Sequence, residues 1–199
     1  MFRIVRKEVL NSSVKLMEIE APHIARKAEP GQFIILRVNE EGERIPLTIA
    51  DFDRDKGTVT IIFQEVGKTT KLLGTLEEGQ EILDFVGPLG KASHLEGYKK
   101  VAVIGGGLGT AIAYPQAKKL HSMGAEVHSI AGFRNKDLII LEKEMAAVST
   151  KLFVTTDDGS NGTKGFVSDV LKKLIEEGNK YDLVIAIGPL IMMKVVSNL

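Results

Sequence analysis

The turn between a buried strand and a helix near the middle of the chain is the feature that most constrains its fold. Residues 101–104 read Val-Ala-Val-Ile, and a glycine-rich segment and then a helical pattern follow. This order is typical of a parallel strand that enters a nucleotide-binding turn, where backbone N–H groups and the helix dipole favour a phosphate. We call this segment the glycine loop, and it consists of Gly105, Gly106, Gly107, Leu108, Gly109 and Thr110.

The glycine loop meets the dinucleotide-binding fingerprint only in part. Gly105 and Gly107 fit the first two glycines of that pattern, but Thr110 stands in the third place. The acidic residue that usually closes the second strand and holds a ribose is also missing, since that strand ends in Phe133-Arg134. The loop therefore predicts a nucleotide site, with a tight turn that binds no ligand as the alternative.

The composition excludes several classes of function. The 199 residues carry 26 basic and 26 acidic side chains, so no net charge attracts a nucleic acid or a membrane surface. No cysteine is present, which excludes a thiolate-bound cluster within these residues. The four histidines lack metal-ligand spacing, so packing or surface roles and no metal site are expected. The N-terminus has no signal-peptide core, and a cytoplasmic location is expected.

The first 97 residues show the short alternating segments of β structure. Six strands are predicted, separated by turns rich in polar residues and glycine, and one helix interrupts them at 69–76. Short strands joined in this way favour a small closed β-barrel. The predicted strands are 2–9, 14–19, 32–38, 45–50, 58–63 and 81–86.

Residues 98–199 change to an alternation of strands and helices. Repeated β-α units predict a doubly wound α/β domain with a parallel sheet, which follows the barrel. The helical pattern is clearest at 166–177, where Leu171 and Leu174 lie on an apolar stripe and Gly178 stops the helix. The predicted strands are 101–104, 126–131, 152–156 and 182–187, and the predicted helices are 110–123, 137–148, 166–177 and 190–199.

Three motifs in the predicted barrel fit a cofactor but are weak when each is taken alone. Strand alternation places Arg44, Pro46 and Thr48 on one face, although a solvated arginine and a strand threonine are common. The second motif is Gly67, Lys68, Thr69 and Thr70, and the third is Gly87, Pro88, Leu89 and Gly90. The second motif fits either a phosphate site at a helix start or simple helix capping, with equal weight. The third motif fits a turn.

Two further motifs follow strands of the predicted α/β domain. Asp157 and Asp158 follow the third strand, and a solvated loop is favoured there over a metal site because no further carboxylates join them. Gly188, Pro189 and Met192 follow the fourth strand. Open α/β sheets bind their ligands outside the carboxyl ends of the strands, where the glycine loop also lies.

Taken in order along the whole chain, these motifs resemble the ferredoxin–NADP⁺ reductase superfamily. In that family a Greek-key barrel binds flavin and the following α/β domain binds NAD(P). The resemblance is closest to two groups of electron-transfer subunits. These are the small subunit of NADH-dependent reduced ferredoxin:NADP⁺ oxidoreductase, also named sulfide dehydrogenase, and the dihydroorotate dehydrogenase electron-transfer subunit. Segments 131–137, 156–160 and 186–189 are most similar to the first group.

The resemblance implies roles for residues of the barrel. Arg44-Ile45-Pro46-Leu47-Thr48 looks like the flavin-binding strand of the family. Arg44 would bind the FAD pyrophosphate, and Thr48 would hydrogen-bond near flavin N5 as the catalytic residue. Residues 67–70 resemble the helix N-terminus that takes the flavin phosphates.

The resemblance implies a nicotinamide nucleotide for the second domain. The glycine loop resembles the family's pyrophosphate loop, and residues 87–90 of the barrel resemble its nicotinamide-side loop. Gly188-Pro189 resembles the Cys-Gly-Pro motif beside the nicotinamide, with Ile187 in place of the cysteine. Arg134 could pair with a 2′-phosphate, whereas Asp157 and Asp158 would repel one. The likeness to the subunits favours NAD(H) and leaves NADP(H) open.

The implied reaction is hydride transfer between NAD(P)H and FAD, with electrons passing to a larger partner subunit or to ferredoxin. Relatives in both groups carry a four-cysteine segment that holds a [2Fe–2S] cluster, and a fifth parallel strand before it. Because this chain contains neither, we expect it to be a piece of a longer protein. A non-catalytic flavin- or nucleotide-binding regulatory module and a stand-alone reductase are the alternatives.

Overall fold

A computed structural model describes all residues, 1–199, and they form two compact units. The first unit is Met1–Ser93 and the second is His94–Leu199, whereas the sequence placed the boundary between residues 97 and 98. Each unit has its own hydrophobic core.

The first unit contains seven strands and two helices. Alternation along the strands directs one side chain of every two inward, and these bury a core that includes Ile34, Ile61 and Phe63. The strands are β1 (Phe2–Val9), β2 (Val14–Glu20), β3 (Phe33–Arg37), β4 (Ile45–Asp53), β5 (Thr58–Gln64), β6 (Glu81–Ile82) and β7 (Asp84–Leu89). The helices are α1 (Pro22–Ala25) and α2 (Lys68–Thr75).

The seven strands form one antiparallel, nearly closed barrel, which confirms the predicted class of the first unit. Their order is β6-β1-β2-β5-β4-β3-β7, so β6 and β7 lie at opposite edges of the sheet. Leu83 alone separates β6 from β7 in the chain. The two strands nevertheless pair with different neighbours, since Ile82 pairs with Phe2 of β1 and Phe85 pairs with Leu36 of β3. The single sixth strand predicted at 81–86 is therefore wrong, since this segment divides between both edges.

The second unit alternates strands and helices, as its sequence predicts. Its strands are β8 (Lys100–Gly106), β9 (Glu126–Phe133), β10 (Lys151–Thr156) and β11 (Leu183–Ile187). Its helices are α3 (Gly109–Ser122), α4 (Glu142–Ala147), α5 (Val167–Glu176) and α6 (Leu190–Val196). The strands form one parallel sheet in the order β10-β9-β8-β11.

Helices cover both faces of this sheet, which confirms the doubly wound α/β class. Ala102 and Ile104 of β8 join the core that Leu171 of α5 and Val196 of α6 bury on one face. Side chains of β8 that alternate with these are also fully buried, and α3 contacts β8, β9 and β11. No helix of the structure is long and apolar enough to cross a membrane.

Two local predictions are corrected. The helix predicted at 137–148 divides into a 3₁₀ turn at Lys136–Leu138 and the helix α4, with Leu141 at a left-handed φ of 56° between them. The Asn135 side chain accepts a hydrogen bond from the Asp137 N–H group and so starts the 3₁₀ turn separately. Helix α1 was missed because its four residues are too few for a periodic pattern.

Candidate cofactor sites

The outer face of strands β3, β4 and β7 carries apolar side chains that the barrel core does not use. Ile45 and Leu47 of β4 point inward to the core, so Pro46 and Thr48 point outward. The register places Pro46 beside Ile35 of β3, which lies beside Val86 of β7. We call this surface the outer patch, and it consists of Phe33, Ile35, Pro46, Thr48 and Val86. Val86 is 53% exposed.

Arg44 lies at one end of the outer patch, immediately before β4 begins. Its guanidinium Nη2 donates a hydrogen bond to Asp84 Oδ2 at 3.1 Å, and the same oxygen accepts one from Arg37 Nε at 2.7 Å. The sequence singled out Arg44, Pro46 and Thr48, and the structure places all three along β4 and the residue before it. It missed Arg37 and Asp84, because a charged residue in a strand gives no signal until the pairing of β3 with β7 is known.

The N-terminus of α2 is compatible with both interpretations of its sequence, helix capping and a phosphate site. Thr70 Oγ1 accepts hydrogen bonds from the N–H groups of Val66 and Gly67, so Thr70 caps the helix. The N–H groups of Lys68, Thr69 and Thr70 have no acceptor within the protein. A Cβ atom on Gly67 would meet no atom within 4 Å, so the space beside Gly67 itself is open.

Gly87 and Pro88 lie where the pairing of β7 with β3 shifts register. A Cβ atom on Gly87 would lie 2.7 Å from Ile34 Cγ2 and 3.3 Å from the Phe33 carbonyl oxygen. Glycine is therefore required for the close approach of β7 to β3 next to the outer patch. Gly90 has a φ of +77°, and a Cβ atom on it would lie 3.0 Å from Cε1 of the Phe33 ring.

The glycine loop turns so tightly that two of its glycines leave no room for a side chain. Strand β8 continues to Gly106, and α3 begins at Gly109. A Cβ atom on Gly105 would lie 2.6 Å from Thr110 Cα, and one on Gly109 would collide with the Ile187 carbonyl oxygen. Gly107 instead has a φ of +55° and open space around it, and its N–H group donates to the Gly132 carbonyl oxygen at 2.8 Å.

The structure brings the glycine loop together with the segment that follows β11. Ile187 of β11 pairs with Gly105 of β8, so the next residues of both strands continue side by side. A Cβ atom added to Gly188 would lie 3.0 Å from Gly106 Cα, and one added to Gly106 would lie 2.5 Å from Met192 Sδ. Two motifs separated by about eighty residues in the sequence therefore form one surface at the carboxyl ends of the central strands.

Arg134, Asp157 and Asp158 also meet at this edge of the sheet. The Asp157 N–H group donates to the Phe133 carbonyl oxygen at 3.0 Å, and the Asp158 N–H group donates to the Arg134 carbonyl oxygen at 3.3 Å. The three side chains are exposed. Hydrogen bonds from Ser160 lower the pKa of Asp158, so its carboxylate stays charged at neutral pH. No group of three metal-ligating side chains forms there or elsewhere.

His128 of β9 is fully buried, in agreement with its expected packing role. Its Nδ1 atom lies 2.8 Å from the Tyr181 hydroxyl oxygen, and its Nε2 atom lies 2.9 Å from Glu126 Oε1. Burial lowers the pKa of His128, while Glu126 opposes this effect and Lys100 and Lys151 add to it. Burial also raises the pKa of Tyr181 to about 12.

We expect His128 to make the stability of the second unit depend on acid. Its folded-state pKa lies below the unfolded value of about 6.5, so the unfolded chain binds more protons in this range. The free energy of unfolding should therefore fall as pH drops below about 6.5. Urea unfolding of the protein and of His128→Gln between pH 7.5 and 5 measures this slope, which the substitution should reduce. His121→Gln, at an exposed histidine, is the control; an unchanged slope in His128→Gln contradicts the prediction.

A family model described as "Oxidoreductase FAD-binding domain" matches residues 1–94, essentially the barrel unit. A "Dihydroorotate dehydrogenase B (NAD(+)), electron transfer subunit homolog" of Thermotoga maritima is 44% identical, over 96% of this chain and 67% of the relative. The corresponding subunit of Fusobacterium nucleatum subsp. nucleatum is 36% identical, over 92% of this chain and 72% of the relative.

Solved structures agree with these sequence comparisons. A chain from the structure of an NADH-dependent reduced ferredoxin-NADP oxidoreductase, described in terms of flavin-based electron bifurcation, is 41% identical with a TM-score of 0.93. The match covers 100% of this chain and 72% of that one. The ferredoxin reductase in carbazole 1,9a-dioxygenase is 20% identical over 99% of this chain and 63% of its own, with a TM-score of 0.80, and supports the fold alone. The chain belongs to the ferredoxin–NADP⁺ reductase-like family of FAD-binding oxidoreductases that includes the electron-transfer subunits of dihydroorotate dehydrogenase B.

Proposed function

We propose that this chain transfers hydride between NAD(H) and FAD and passes electrons to a larger partner subunit. The observation that carries the proposal is the outer patch, a mostly apolar and partly exposed strip on the barrel that ends at the cation of Arg44. A flavin has the same arrangement, since a flat aromatic ring is joined through a chain to a charged diphosphate. The match of the barrel to an FAD-binding domain supports FAD as the ligand that this surface would hold.

The barrel residues would bind and orient FAD, which supplies the capacity to accept a hydride. Arg44 would hold the diphosphate by charge-assisted hydrogen bonds. The free N–H groups of Lys68 and Thr69 would add donors for the phosphates. Pro46 and Thr48 would face the ring, and the Thr48 hydroxyl would hydrogen-bond near flavin N5. Leu47 packs inward, so its backbone alone is available to the cofactor.

The α/β unit would bind the nicotinamide nucleotide along the carboxyl edge of its sheet. The glycine loop, including Leu108 and Thr110, would hold the pyrophosphate at the start of α3. Gly188, Pro189 and Met192 would shape the pocket for the nicotinamide. We favour NAD(H) over NADP(H), because the two exposed carboxylates beside Arg134 would repel a 2′-phosphate.

The proposed partner is a larger oxidoreductase subunit, with ferredoxin as a second candidate acceptor. The relatives are named as electron transfer subunits, which supports a partner that accepts the electrons. A role as the electron-transfer subunit of a dihydroorotate dehydrogenase is the alternative with the same chemistry. These 199 residues contain no cysteine ligand for the [2Fe–2S] cluster expected from the resemblance. The cytoplasmic location stays a prediction.

An anaerobic visible absorption spectrum, recorded before and after addition of NADH and then NADPH, tests the proposal. We expect a flavin band that NADH bleaches faster than NADPH does. A flavin band that neither nucleotide bleaches would favour the regulatory module over the reductase. Absence of a flavin band after reconstitution with FAD would contradict the assignment of the outer patch.

Replacing Thr48 with alanine should slow flavin reduction about fivefold while FAD stays bound, because loss of one hydrogen bond near N5 corresponds to about 1 kcal/mol. Stopped-flow absorbance with excess NADH measures this rate. Thr60→Ala, on β5 and away from the outer patch, is the matched control. An unchanged reduction rate in Thr48→Ala would remove Thr48 from the catalytic role.

A further inference from the structure

Three charged residues form a row across the three strands of the outer patch. Arg37 of β3 lies directly opposite Asp84 of β7, and Arg44 continues the row because Ile45 of β4 lies opposite Leu36. A single oxygen of Asp84 accepts hydrogen bonds from both guanidinium groups. We call Arg37, Arg44 and Asp84 the charged row.

Electrostatics explains why both cations pair with this one carboxylate. Like charges on neighbouring strands repel each other, and Asp84 offsets that repulsion by pairing with both. The Arg37 side chain is 23% exposed, whereas that of Arg44 is 60% exposed. Asp84 therefore anchors Arg37 against the barrel and holds one N–H group of Arg44, while the other donors of Arg44 face solvent.

We propose that Asp84 is a positioning residue that holds Arg44 and Arg37 as one diphosphate-binding row, which makes the barrel select FAD over flavins that lack the diphosphate. This inference rests on the proposed function, in which the outer patch binds FAD. An anchored arginine has already lost most of its conformational freedom, so less is lost when the phosphates bind. Asp84 also repels the phosphates, but the row keeps a net positive charge, and we expect the gain from anchoring the arginines to exceed this repulsion.

The test measures affinity for two ligands in the full chain after removal of bound flavin. FAD and riboflavin are titrated by flavin fluorescence into the protein and into Asp84→Ala, Arg44→Ala and the double variant. We expect Asp84→Ala to weaken the binding of FAD about five- to tenfold and to leave the affinity for riboflavin unchanged. The double variant should lose less FAD affinity than the sum of the two single losses, because Asp84 acts in part through Arg44 and in part through Arg37.

Two further variants separate positioning from a general effect on the barrel. Asp84→Asn keeps one acceptor oxygen and the side-chain shape, so it should restore part of the FAD affinity that alanine loses. Glu18→Ala breaks the Arg6–Glu18 pair, which is also directly opposed across two strands of the barrel, at 2.8 Å. It should change neither affinity.

Three results would overturn the inference. Equal losses for FAD and riboflavin would mean that Asp84 supports only the fold. Tighter FAD binding by Asp84→Ala would mean that the carboxylate competes with the phosphates. Additive losses in the double variant would mean that Asp84 does not act through Arg44. If Arg44→Ala itself leaves FAD affinity unchanged, the proposed role of Arg44 in binding the diphosphate fails as well. If Arg44→Ala weakens FAD binding but Asp84→Ala does not, only the inference about Asp84 fails.

Discussion

Replacing Arg44 with alanine should weaken FAD binding about 30-fold, because hydrogen bonds to a charged group contribute about 2 kcal/mol. Arg44 is the cation at the end of the outer patch, and its side chain is 60% exposed. The fold should therefore be retained. Equilibrium titration of the flavin-free protein with FAD measures the change, and riboflavin should bind as it does to the unchanged protein.

Arg6→Ala is the matched control for this substitution. Arg6 is an arginine of the same barrel, its side chain is 50% exposed, and it pairs with Glu18 and Glu8. FAD affinity should stay the same in Arg6→Ala. If Arg44→Ala purifies with full flavin occupancy and unaltered affinity, Arg44 does not hold the diphosphate.

Replacing Gly109 with alanine should destabilise the second unit by about 3 kcal/mol and abolish binding of the nicotinamide nucleotide, because overpacking of a tight contact costs about this much. The new Cβ atom would collide with the Ile187 carbonyl oxygen and approach Gly188 Cα to 2.9 Å. Both are backbone atoms, so no side-chain rotation relieves the collision. Urea unfolding followed by circular dichroism measures the stability, and titration with NADH measures binding.

Gly107→Ala separates this collision from the general effect of losing a glycine in the loop. Gly107 has no atom within 4 Å of the position of a Cβ, and a left-handed φ of +55° is its only constraint. Its substitution should cost about 1 kcal/mol, less than that of Gly109. Equal stability of the two variants would show that the packing of α3 against β11 tolerates a side chain.

Much of the architecture could be predicted from local patterns. Apolar side chains recur at every second residue in the first half, and strands alternate with helices in the second half. Both patterns arise because each element must bury one face, and they predict the barrel and the α/β domain that the structure confirms. The glycine loop was recognisable because a buried strand, a run of glycines and a helical pattern follow one another directly in the chain. The division of residues 81–86 into two strands was not, because it depends on which edge of the barrel each half reaches.

The sequence by itself determined the two folding units, the glycine turn and the residues of β4 that form the outer patch. Tertiary structure alone decided which distant groups meet. The register of β3 with β7 placed Asp84 opposite Arg37 and within hydrogen-bond distance of Arg44, and the pairing of β8 with β11 placed Gly188 against Gly106. Strand pairing is the physical reason for this difference. A shift of one residue would direct every side chain of a strand to the other face, and register is fixed by the whole core rather than by any local segment.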